Sequence, residues 1–178
     1  GVALLPIDRP TSRVPLMTSQ RPLLRTIFEA AVARAHPDRV LARHLPLPPK
    51  GRIICLAAGK GGGAMAAAAE RHYLDTCGLP AARLSGLATT RHGHACATRQ
   101  IPVIEAGHPV PDVASQRAAE QTLQLAQSAT ADDLVLVLLS GGGSANWIAP
   151  ADGVSLQQKQ EVNRALLRSG ANIGAINT

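Results

Sequence analysis

The stretch Asp133-Leu134-Val135-Leu136-Val137-Leu138-Leu139-Ser140-Gly141-Gly142-Gly143-Ser144-Ala145 decides what kind of fold the chain can have. Its aliphatic run, Leu134 to Leu139, does not alternate with polar residues and is too short for most helices. It predicts a fully buried, central parallel strand. Three glycines between two serines follow, so the backbone can turn sharply and a ligand can approach its amides closely. Ser144 is expected to cap a helix that begins at Ala145. Strand, glycine turn and helix start together make an anion pocket, because the first amides of a helix lack internal partners. A tight turn that binds nothing would leave the same sequence.

A second unit of this kind lies upstream. Arg52 to Ala58 reads as a strand, Gly59-Lys60-Gly61-Gly62-Gly63 as its turn, and Ala64 to Glu70 as an Ala-rich helix of high propensity. Position 54 is Ile and Lys60 is followed by Gly61, so this is not the phosphate loop of the P-loop enzymes. The spacing is not GxGxxG either, and no acid ends a second strand where a ribose would need one, so a dinucleotide is disfavoured. A lysine at a helix start opposes the helix dipole by ~0.3–1 kcal/mol. Lys60 therefore points to an anion held by its ammonium and nearby amides; a solvated loop lysine is the alternative.

The chain has 178 residues, 46% of them apolar, with 16 glycines, enough for one domain with a substantial core. The net charge of +6 is uneven: residues 1–50 hold eight Lys/Arg against three acids, and residues 51–178 hold ten against nine. The core is thus nearly neutral, and with three aromatic residues, Phe28, Tyr73 and Trp147, it lacks the basic, stacking surface that nucleic acid needs. No apolar run approaches the ~20 residues of a membrane span. Three scattered cysteines, Cys55, Cys77 and Cys96, form no CxxC pair and no zinc spacing, which points to a reducing cytoplasm.

Residues 1–16 are broken by prolines and have no period, and Met17 is a natural start, so 1–16 are expected to be disordered or upstream sequence and 17–178 the domain. A helix is predicted over Pro22–His36, with Leu23, Leu24, Ile27, Phe28, Ala31 and Val32 on one face. A short helix over Val40–His44 and a proline-rich connector precede the core. Strands are predicted over Ser85–Thr90 and Ile101–Glu105. His92 and His94 between them lack a third ligand at metal spacing, and no metal site is expected. Asp112 is placed to cap a helix over Val113–Ser128. His108 follows a strand directly, on the side where open α/β sheets bind ligands; a structural histidine fits equally. Ser155 caps a last helix to Ser169, with Leu156, Val162, Leu166 and Leu167 inward and Gly170 just past its end. The order β-α-β-β-α-β-α with short links predicts an α/β fold: a doubly wound, mostly parallel sheet with helices on both faces.

Three motifs resemble the glycerate 2-kinase family, whose members are often named hydroxypyruvate reductase after the tartrate operon. They are Gly59-Lys60 followed by a helix with Met65-Ala66, then Glu105-Ala106-Gly107-His108-Pro109-Val110-Pro111-Asp112, then Leu139-Ser140-Gly141-Gly142-Gly143-Ser144-Ala145. Leu166-Leu167, Ser169-Gly170-Ala171 and Ile176-Asn177-Thr178 extend the likeness, which covers about residues 21–178. The family's smoother GKA-type turn is replaced here by Gly61-Gly62-Gly63. The resemblance implies the N-terminal, Rossmann-like domain of a two-domain cytoplasmic enzyme that uses ATP and Mg2+ to phosphorylate the C2 hydroxyl of D-glycerate, with the C-terminal domain absent and a homodimer conceivable. It implies Lys60 as the catalytic lysine. Gly59, Ser140, Gly141, Gly142, Gly143 and Ser144 would bind phosphate or substrate, with His108 and Asp112 orienting substrate or magnesium. Two rival readings stand beside it: an NAD(P)H-dependent hydroxypyruvate reductase, and a catalytically incomplete fragment that binds small anions.

Overall fold

The computed structural model describes residues 20–170, 172 and 174. The expectations for residues 1–16, Ala171 and Ile176-Asn177-Thr178 lie outside them. The chain divides after His36 into two units. In the first, helix α1 (Arg21–Ala35) carries Pro22 in its first turn, where a missing amide costs nothing. Leu23, Leu24, Ile27, Phe28 and Val32 are all exposed on it.

The second unit opens with α2 (Pro37–Val40) and a 3-10 turn at Ala42–His44, where one short helix was predicted. Its core is four parallel strands, β1 (Ile53–Ala58), β2 (Leu84–Arg91), β3 (Val103–Ala106) and β4 (Leu134–Leu139), in the order β3-β2-β1-β4. α3 (Gly62–Arg71) joins β1 to β2, and α4 (Val113–Gln127) joins β3 to β4. One face of the sheet packs Ile53, Cys55, Ala57, Ala88 and Leu138 against Ala66, Ala69 and Tyr73. Alternate residues point the other way, so Leu56 and Val137 share the opposite face, with Ala119 and Leu123 of α4. Helices therefore cover both faces, as the element order predicted.

β1 and β2, not β4, are the inner strands of the described sheet. All six residues of β1 are buried, whereas β4 pairs only with β1 among the described residues. Val137 and Leu139 are 51% and 64% exposed, so the expectation of a fully buried central strand is corrected. α4 packs over β3 and β2 and leaves the outer part of that face open. α6 (Leu156–Ser169) has the expected cap at Ser155, which forms a capping box with Gln158, and a left-handed Gly170 at its end, but Val162 and Leu167 are exposed rather than inward.

Two buried carboxylates fix the frame. Asp133 accepts from the Arg52 amide at 2.6 Å and from its guanidinium at 2.8 Å, joining the starts of β1 and β4. Those bonds hold its carboxyl well below the usual carboxylate range. Glu70, at the end of α3, accepts from the amides of Arg99, Gln100 and Ile101 at 2.5, 3.0 and 3.2 Å. It anchors the segment that leads into β3. Among the described residues no helix is long and apolar enough to cross a membrane.

Candidate functional site

In a parallel sheet all carboxyl ends lie on one side, and here they bring together three segments that are far apart in sequence. They are the turn Gly59-Lys60-Gly61 after β1, the loop Gly107–Asp112 after β3, and the turn Ser140-Gly141-Gly142 after β4. β1 and β4 are adjacent, so the two glycine turns touch. Ser140 Oγ accepts from the Gly61 amide at 2.8 Å, and the Gly141 carbonyl accepts from the Lys60 amide at 2.9 Å. Gly59 has φ +104°, and a Cβ there would sit 2.5 Å from Ser140 Oγ, so both its conformation and its neighbour require glycine.

These bonds divide the work between the turns. The Lys60 and Gly61 amides and the Ser140 hydroxyl are occupied within the protein. The amides of Gly141 and Gly142 donate to no acceptor among the described residues. Gly142 is left-handed, φ +89°, and serves as N-cap of α5 (Gly143–Asn146), so the expected cap at Ser144 is corrected: the helix starts two residues earlier. Ser144 is exposed and, with Leu139, Ser140, Gly142, Gly143 and Trp147, lines an open cavity of about 380 Å³.

Lys60 and His108 meet over Gly142. A Cβ on Gly142 would lie 2.7 Å from His108 Nε2 and 3.6 Å from Lys60 Cε. Lys60 is exposed and pairs with no carboxylate among the described residues. His108 is half-buried, and its ring bonds to no described group. Burial, with Lys60 and Arg91 nearby, lowers its pKa below the ordinary histidine value, so it is neutral at pH 7.

Asp112 is engaged as a cap. Its Oδ1 accepts from the Ser115 amide at 2.9 Å, and the Ser115 hydroxyl oxygen accepts in turn from the Asp112 amide at 3.1 Å, completing the capping box. His92 Nε2 lies 2.8 Å from its Oδ2. Burial would raise this carboxyl, but the bonds from His92, Gly107 and Ser115 outweigh it and hold its pKa at about 2. The acid thus shapes the loop behind His108.

Sequence reading missed four groups. Asn146 reaches back to the Gly107 carbonyl at 3.1 Å, and Trp147 Nε1 donates to Thr89 Oγ1 at 2.9 Å. Thr90 Oγ1 lies 3.4 Å from the Lys60 carbonyl, and the Arg91 charge reaches His108. No motif marks them, because each acts through a partner remote in sequence.

The model of the family described as "Domain of unknown function (DUF4147)" matches residues 23–178. A "Putative hydroxypyruvate reductase" of Agrobacterium vitis is 44% identical over 160 residues, 90% of this chain and 35% of that protein. A "D-glycerate 2-kinase" of Thermotoga maritima is 36% identical over 161 residues, 90% of this chain and 37% of that one. The crystal structure of a glycerate kinase from Thermotoga maritima superposes with a TM-score of 0.68 at 34% identity, covering 89% of this chain and 37% of the other. The chain thus spans about a third of the length of the curated relatives it matches.

Proposed function

This chain belongs to the DUF4147 family, the glycerate 2-kinase family by the names of its relatives, and on that premise we propose that it is the anion-binding part of a cytoplasmic, ATP-dependent D-glycerate 2-kinase. The observation that carries the reading is an exposed lysine, Lys60, beside a neutral His108 and the amides of Gly141 and Gly142, none of which has an internal acceptor or carboxylate partner among the described residues. Phosphoryl transfer from ATP needs positioning and charge neutralisation more than covalent help from the protein. The C2 hydroxyl oxygen attacks the terminal phosphorus, the bond to the ADP oxygen breaks with its electron pair going to ADP, and the hydroxyl proton passes to solvent water. Lys60 neutralises charge on the substrate carboxylate or on the transferring group, with the Gly141 and Gly142 amides and the Ser144 hydroxyl as further donors. His108, uncharged, orients the hydroxyl.

Magnesium, which accompanies ATP in such reactions, finds no ligand set among the described residues. Asp112 is taken up as a cap, and the described residues hold no group of three His, Cys, Asp or Glu suited to a metal. Its ligands are assigned to phosphate oxygens and to residues outside this stretch. The remaining site groups are assigned to the further length that the relatives carry, or to a partner copy in a homodimer. A reductase would cradle a dinucleotide pyrophosphate on the amides of the first glycine turn, and here Lys60 and Gly61 already give theirs to Gly141 and Ser140.

A coupled ADP-release assay with D-glycerate tests the proposal, on this 178-residue chain and on one extended to the length of its relatives. Turnover is expected only in the extended protein, because nucleotide and acceptor must be held together away from water. NADH oxidation by hydroxypyruvate without ADP release in the extended protein would overturn the kinase reading.

A further inference from the structure

Asn146 is the last residue of α5, four positions after Gly142, and its side chain is fully buried. Its Nδ2 donates to the carbonyls of Ala106 at 3.4 Å and Gly107 at 3.1 Å, across about forty residues of sequence. Ala106 ends β3, an edge strand among the described residues, in register with Arg91 of β2, and Gly107 follows it directly; the next residue is His108. We infer that Asn146 is a positioning residue: its carboxamide clamps the His108 loop to the second glycine turn and so sets where the imidazole stands over Gly142. The inference rests on reading Lys60, His108, Gly141 and Gly142 as the anion site.

Two observations favour positioning over simple filling of space. The Asn146 Oδ1 is buried and has no partner among the described residues, a desolvation cost that an apolar side chain of the same size would avoid. The carboxamide is therefore kept for its two donors. The loop is also tied at its far end, by the Asp112 cap and by Gln160 Nε2 donating to the Pro111 carbonyl at 2.8 Å. Asn146 ties the His108 end of the loop to α5. Without it Gly107 keeps its strand neighbour Ala106 and its amide bond to Asp112 but loses its tie to α5, and the ring can shift over Gly142. The charged groups that face the ring are Lys60, from the turn after β1, and Arg91, from the end of β2.

The test uses the 178-residue chain with sulfate as probe, following the His108 ring resonance by NMR through a pH titration and a sulfate titration. In Asn146→Ala the His108 midpoint is expected to rise towards that of an exposed histidine, with sulfate affinity falling roughly tenfold as a misplaced site loses its geometry. Thr122→Val, which replaces the other buried unpartnered oxygen, should leave both readouts unchanged. A folded Asn146→Ala with the wild-type His108 midpoint and sulfate affinity overturns the inference. Should that variant fail to fold, Asn146→Ser decides: one hydroxyl can hold one of the two carbonyls, so a partial shift supports the clamp and no shift refutes it. If the wild-type chain binds no sulfate, the anion-site reading fails, while the His108 midpoint still decides the role of Asn146.

Discussion

The hydroxyl of Ser140 accepts the amide of Gly61 at 2.8 Å, so two glycine turns separated by nearly eighty residues form one object. Ser140 also donates to the Ala58 carbonyl at 3.3 Å, and its amide meets the same carbonyl at 2.9 Å. Lys60 is presented from one side of this clasp, and the free amides of Gly141 and Gly142 from the other.

Ser140→Ala removes the acceptor for the Gly61 amide and loosens the clasp. It is expected to cost about 1–2 kcal/mol in urea unfolding, the range for stranding one partly buried donor. Sulfate affinity should fall with it. An unfolding midpoint equal to that of wild type would show that the two turns hold each other by other means.

Lys60→Ala should lower turnover of the extended protein by roughly 10²-fold, the scale of losing one transition-state donor. Stability should hardly change, because the side chain is exposed. Lys60→Arg should rescue poorly, since a planar fork does not replace a compact charge. Steady-state kinetics with D-glycerate read both variants; full activity in Lys60→Ala would remove this residue from the site.

Sulfate binding should tighten as pH falls. Sulfate keeps its charge across this range, and His108 has a pKa lowered by burial and by Lys60 and Arg91. The ring is therefore neutral at pH 7 and gains its proton only below the ordinary histidine value, adding a second cation beside Lys60. Isothermal titration between neutral and acid pH measures this. His108→Asn should bind sulfate with little pH dependence, and an unaltered pH profile in that variant would place another group in control.

Glu70→Ala strands three backbone amides in a buried position. A loss of about 3 kcal/mol is expected in chemical denaturation. Glu70→Gln keeps an acceptor oxygen and should lose less. Equal losses in the two variants would mean that packing, rather than the three bonds, sets the effect.

The sequence by itself determined the local elements and the sides of the sheet. The six-residue apolar runs, the Asp112 and Ser155 caps and Gly170 all depend on neighbours within a few positions, so their patterns survive in a bare sequence. So did the grouping of Lys60 with the Ser140–Ser144 turn, because parallel strands place all their carboxyl ends together. Tertiary structure alone decided the rest. An apolar run such as Leu134–Leu139 reports that a strand prefers cover; it does not report how many strands flank it, and β4 lies at the edge of the described sheet. The N-cap of α5 fell to Gly142 rather than Ser144 because a left-handed glycine beneath His108 leaves room that no side chain would. Asn146 carried no signal because its partners, the carbonyls of Ala106 and Gly107, are backbone groups that every sequence has, and only the fold brings those two within its reach.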